Sequence, residues 1–194
     1  MNFGSGISAK PLTQFLLKNL GLSRSVADSA GETVIVCPEE ESYVERAFHL
    51  EGQLDRVTAV EQDTSFDLKR MRIAGGLKTE GPTVAYRIDR CVFSRGRLHT
   101  NWMQDKQGGR QKRKLIFTVT DELETAVLPL SYFATIYFGH MVVDGGASAL
   151  MAPDFGESYI DTQVCKGMAG HVARYWDLFG LNYTSVRDVH VNHA

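Results

Sequence analysis

YFGHMVVDGG, residues 137–146, is the stretch on which the reading of this chain turns. His140 and Asp144 stand four apart, so on a helix both side chains point to the same side. An aromatic-glycine step, Phe138-Gly139, comes just before them. On the N-terminal side lie short apolar runs cut by Gly, Pro and charge, a pattern of strands and turns. On the C-terminal side the pattern changes to helix, strand, helix, strand.

Taken outward from that point, residues 136–151 fit a helix, with Gly145-Gly146 as its weak point. Residues 158–164 read as a strand. Residues 170–179 read as a helix with Val172, Tyr175, Trp176 and Phe179 on one face, stopped by Gly180. Residues 185–191 read as a further strand. Short links between such elements predict half of an open parallel α/β sheet. On the other side, Pro11 and Gly21 bracket a helix whose apolar face is Leu12, Phe15, Leu16 and Leu20. Residues 33–37 read as a buried strand ended by Pro38. Residues 43–50, 56–61, 83–88 and 91–93 are further strands, and residues 94–97 a hairpin turn. Residues 98–102 form the return strand, and residues 115–119 are another apolar run. The expected organisation is an N-terminal arm and helix over 1–30, a β-rich part over 31–130 and an α/β part over 131–194.

The chain has 194 residues, 43% of them hydrophobic, enough for a real core. Its net charge of −2 gives no reason to expect nucleic acid as a partner. The basic run at 110–114 reads as a solvated loop. Cys37, Cys91 and Cys165 are far apart, with no CxxC spacing, which suits a reducing compartment and a cytoplasmic location. Residues 1–10 lack the pattern of a signal peptide. The apolar patch at 15–17 is too short to span a bilayer, and leaves only peripheral contact with a membrane surface as an expectation.

A histidine beside a carboxylate suits general acid–base work: the carboxylate orients the imidazole and raises its basicity. Either His140 or Asp144 fits the role of base. The bland alternative is a helix-start histidine whose ring simply bonds Asp144 across one turn. His171 opens the following helix, where a side chain can reach a crevice at strand ends. Lys166 and Arg174 suit a phosphate contact, although single basic residues in such places are commonly just solvated. Trp102, Tyr137 and Trp176 can stack on a sugar ring, or serve the core. His140, Asp144 and His171 also make a plausible metal trio, but no spacing demands a metal.

The motif Gly139-His140-x3-Asp144 resembles the segment that marks glycosyltransferase family 61. The stretch EGQLDRV, residues 51–57, is similar to one that precedes the motif in the bacterial, capsular-polysaccharide branch. AGHVARYWDLFG, residues 169–180, resembles the His-x3-Tyr-x3-Phe-Gly helix that follows it. The three matches keep their order over residues 51–180. The chain departs from the pattern at Met141 and at Gly145-Gly146.

The resemblance implies the N-terminal domain of a GT-B-like enzyme: a β-rich first part, then a Rossmann-like α/β layer, with the donor-binding C-terminal domain expected to be absent. It implies an inverting sugar transfer from a nucleotide-sugar donor to a glycan acceptor in bacterial surface polysaccharide synthesis, without a cofactor. His140 and Asp144 would be catalytic, and Tyr137, Gly139, His171 and Arg174 would bind substrate. On that reading the isolated chain is expected to be inactive. Two other functions are carried beside it: a noncatalytic carbohydrate-binding or scaffold domain, and a metal-binding module.

Overall fold

The structure is a computed structural model that describes residues 6–62, 64–106, 115–161, 169–180 and 182–194, without the side chains of 169–173 and 193. Cys165, Lys166, the run at 110–114 and the expected strand at 162–164 lie outside the described residues. The chain divides into two compact units, Met1–Thr33 with Tyr86–Ala194, and Val34–Ala85. The expected boundary at 130/131 falls inside the larger unit.

The larger unit opens with β1 (Gly6–Ser8) and α1 (Lys10–Asn19). Gly21, at φ 71°, ends α1: its N–H and that of Leu22 return to the carbonyls of Lys18 and Leu17, closing the last turn. A short helix, α2 (Val26–Ser29), follows, with Ser25 and Asp28 in a reciprocal capping box. Part of the apolar face of α1 is turned outward. Leu16 and Leu20 are 53% and 70% exposed, while the buried positions are Pro11 and Gln14. Gln14 has a polar reason to be inside, because its amide donates to Ser23 Oγ at 3.1 Å.

β2 (Glu32–Cys37) and β5 (Thr83–Arg87) pair and carry the chain into and out of the smaller unit. Between them, β3 (Glu40–Val44) pairs antiparallel with β4 (Gly76–Glu80), and α3 (Phe66–Ala74) is capped by Ser65. The stretch at 33–37 is a strand, but an exposed one, not the buried strand expected. Residues 45–50 and 57–61 are not strands; Leu54–Arg56 is a single 3-10 turn. Helix α3 is absent from the pattern read in the sequence. Its apolar residues, Phe66, Leu68, Met71, Ile73 and Ala74, do not fall on one face, and Ser65 marks its start only once the cap geometry is seen.

Back in the larger unit, β6 (Asp89–Ser94) turns through Arg95-Gly96 into β7 (Arg97–His99), and β8 (Gln104–Lys106) follows. Arg95 and Gly96 both have positive φ, 52° and 66°, which matches the two-residue hairpin read from the sequence. β9 (Phe117–Val119) pairs antiparallel with β1, and β10 (Asp121–Thr125) leads toward the site. The helical segment comes next: α4 (Phe138–His140), one π turn (Met141–Gly145) and α5 (Gly146–Met151). β11 (Tyr159–Ile160), α6 (Ala169–Leu178), β12 (Thr184–Ser185) and β13 (Val189–His193) complete the chain.

The main sheet runs in the order β10-β13-β6-β7-β8. β13 is parallel to β10 and antiparallel to β6, so the sheet is mixed, not the open parallel sheet expected. The α/β character stands, and β11 and β12 do pair parallel. The last strand lies between strands of the β-rich part, where Val189 and Val191 pair beside Phe93 and Cys91 and share one buried core cluster with them. The single strand expected at 185–191 is broken between β12 and β13, where Asp188 takes φ 56°. A second cluster, Leu130, Ala134, Met141, Ala149, Ile160 and Trp176, holds the helical segment in place. No helix among the described residues is long and apolar enough to cross a membrane.

Candidate functional site

The helical segment has two sides, set by spacing. Met141, Gly145 and Ala149 recur every four residues and are buried against Leu130 and Ala134. His140 and Asp144 recur at the same interval one position earlier, and their side chains are 52% and 48% exposed. The glycine pair does not break the helix. It lies at the end of a π turn, in which the Gly146 N–H donates to the Met141 carbonyl. A Cβ on Gly145 would come to 3.0 Å from Leu130 Cδ2 and 3.2 Å from Ala134 Cβ, so glycine sets how closely the segment at 130–134 approaches.

His140 Nδ1 lies 2.6 Å from Asp144 Oδ2. With a carboxylate accepting from Nδ1–H, the neutral tautomer carries its basic lone pair on Nε2. Aromatic rings flank the imidazole: Phe133 and Tyr137 have centroids 5.5 Å and 6.0 Å from it, and are themselves stacked with an interplanar angle of 22°. Tyr132 packs edge-on against Phe133 and carries Lys106 Nζ 3.5 Å from its centroid. The site is therefore an exposed imidazole–carboxylate pair beside a half-exposed aromatic surface, with a cation at its margin. Such an arrangement can take a proton from a hydroxyl and bind the apolar face of a ring.

Tyr137, half-exposed, stands beside His140 as expected. Gly139 has open space where a Cβ would go, so packing does not require glycine there. Arg174 is exposed on α6. That helix adjoins the site segment through Phe138, whose ring lies 5.4 Å from Tyr175, and through Phe179, which would lie 3.7 Å from a Cβ on Gly146. His171 is on the same helix, with its side chain outside the described residues. Trp176 is 1% exposed and belongs to the core, so it cannot stack on a ligand. Trp102 is 46% exposed but lies under the Arg24 guanidinium, 5.2 Å away. Among the described residues no group of three or more His, Cys, Asp or Glu side chains is placed to hold a metal ion.

Phe133 and Lys106 carry no signal of their role in the sequence. Phe133 stands four before Tyr137, but the Pro129-containing run around it shows only apolar character. Its packing on His140 needs the turn at 131–137, where Thr135 and Tyr137 N–H groups return to Ser131 and Phe133 carbonyls. No protein-family model, curated protein or solved structure matches this chain.

Proposed function

We propose that this chain is the acceptor-side part of an inverting glycosyltransferase, acting with a nucleotide-sugar donor on a glycan acceptor in bacterial surface polysaccharide synthesis. The observation that carries the reading is the 2.6 Å bond between His140 and Asp144, held at an exposed surface instead of within the core. The bland alternative, a merely structural histidine, has less to stabilise at so exposed a pair.

In this reading the acceptor hydroxyl meets His140 Nε2. The acceptor oxygen forms its bond to the anomeric carbon as the bond to the nucleoside diphosphate breaks on the opposite face. The hydroxyl proton passes to Nε2, and Asp144 stabilises the imidazolium that results. The bond at Nδ1 favours His140 as base and Asp144 as its orienting partner. Phe133 and Tyr137 offer a surface for the apolar face of the acceptor ring. Arg174 suits a contact with the donor phosphates, and His171 is carried as a further substrate-binding residue. A nucleotide-sugar donor and the exposed free thiol of Cys37 both suit the cytoplasm.

The test is substitution in the polypeptide that carries the whole cleft. His140→Ala lowers turnover by about 10²-fold or more, and Asp144→Asn lowers it too, with melting unchanged. A fall in melting temperature with normal specific activity would instead make the pair structural. A carbohydrate-binding role without catalysis is favoured by one observation, the near-parallel Phe133 and Tyr137 rings. It is distinguished by glycan binding that Phe133→Ala abolishes and Asp144→Asn leaves intact.

A further inference from the structure

The backbone does not call for glycine at position 145. Gly145 has φ −68° and ψ −40°, ordinary helical angles that any residue adopts. Glycine is also a poorer helix former than alanine. What the position lacks is room: a Cβ on Gly145 would come to 3.0 Å from Leu130 Cδ2 and 3.2 Å from Ala134 Cβ. The leucine atom is the end of a flexible side chain and can swing away. The alanine atom is fixed to its backbone, and Ala134 is fully buried, so it yields only if its segment moves. Gly146 differs: a Cβ there would lie 3.7 Å from the Met141 carbonyl oxygen and from Phe179, an ordinary contact.

Ala134 carries the aromatic surface with it. Its neighbour Phe133 places a half-exposed ring 5.5 Å from the His140 imidazole. The Ala134 N–H donates to Ser131 Oγ at 3.2 Å, and the Phe133 carbonyl accepts from the N–H groups of Ile136 and Tyr137 at 3.1 Å and 2.9 Å. These bonds tie the turn at 131–137 together, so a push on Ala134 is passed to Phe133. We propose that Gly145 is the positioning residue of this site: its missing side chain lets Ala134 come close enough for the Phe133 ring to lie against His140. A methyl group at 145 drives Ala134 back by a few tenths of an ångström and takes the Phe133 ring with it. The flat apolar face of a sugar ring beside His140 Nε2 then loses its support. That last step rests on the reading of His140 as the centre of a glycan site; the placing of Phe133 does not.

The experiment is NMR of the full chain, following the His140 ring protons, whose shifts respond to the nearby Phe133 ring. Phe133→Ala gives the signature of a lost ring. Gly145→Ala is expected to move the His140 signals in that same direction, and Gly146→Ala to leave them in place. Adding Ala134→Gly to Gly145→Ala is expected to bring them back, because the fixed methyl that meets the new Cβ is gone. Should Gly145→Ala fold poorly, the double variant carries the test: recovered folding with native His140 signals supports the proposal. His140 signals unmoved in folded Gly145→Ala, moved equally in Gly146→Ala, or not restored in the double variant overturn it. A second arm titrates the chain with the methyl glycosides of glucose, galactose and mannose. Binding at the His140 signals is expected to weaken roughly fivefold in Gly145→Ala and to recover in the double variant. If the native chain takes up none of the three, the sugar reading at His140 fails, while the ring signals still decide the role of Gly145.

Discussion

Residues 34–85 and the main sheet of the larger unit both satisfy their backbones by strand pairing, yet they differ in what the pairing covers. In the main sheet, Cys91, Phe93, Val189 and Val191 are each at most 3% exposed. No described residue of 34–85 is buried, and Tyr43 and Leu77, paired across β3 and β4, are both more than 70% exposed. Hydrogen bonds alone contribute little net stability, because the unfolded chain makes them with water. Removal of apolar surface from water is what separates a stable sheet from a marginal one.

The largest expected contrast is in amide exchange. β6 and β13 amides should exchange roughly a thousandfold more slowly than those of β3 and β4. Equal protection in the two regions would break the comparison. Trp176→Ala should cost the larger unit about 3 kcal/mol in chemical denaturation. The value is placed low in the usual range because the buried indole N–H has no hydrogen-bond partner among the described residues.

Gly75→Ala should cost about 2 kcal/mol, felt only within 34–85. Gly75 has φ 68°, and an added Cβ would meet the Val44 carbonyl and lie 2.8 Å from the Arg46 nitrogen. NMR should show β3 and β4 signals lost and β13 signals kept. Leu77→Ala, in contrast, should change stability by no more than about 0.5 kcal/mol, since little is buried there to lose.

The smallest effect is acid sensitivity at the β11–β12 pair. Hydrogen bonds from Thr184 and Tyr159 hold the Glu157 carboxyl below its ordinary value of 4.5. A lowered native value means the stabilisation is complete above 4.5 and is lost as pH falls through the native value. Glu157→Gln should therefore flatten part of the decline in melting temperature between neutral pH and about pH 3. An unchanged slope would show that these bonds do not contribute.

The candidate pair is legible in the sequence because it is local. An interval of four on a helix fixes that His140 and Asp144 meet, whatever surrounds them. The Arg95-Gly96 turn and the C-terminal helix are legible for the same reason: their signals lie within one or two turns of chain. Phe133 is not, because its approach to His140 depends on an irregular turn that no simple period describes.

What the sequence determined by itself was which side chains share a face. Its spacing put Leu12, Phe15, Leu16 and Leu20 on one stripe of α1, and alternating valines at 189 and 191 on one side of the last strand. Only the tertiary structure decided where those faces point. Leu16 and Leu20 of the α1 stripe face out, because Pro11 and Gln14 on the other side of the helix are the positions taken into the fold. The valines of β13 face in because they pair beside Cys91 and Phe93, about a hundred residues earlier, and share the same buried face of the sheet. Periodicity is a property of neighbouring residues. The direction of a face depends on competition for burial among segments distant in the chain, which a local pattern does not contain.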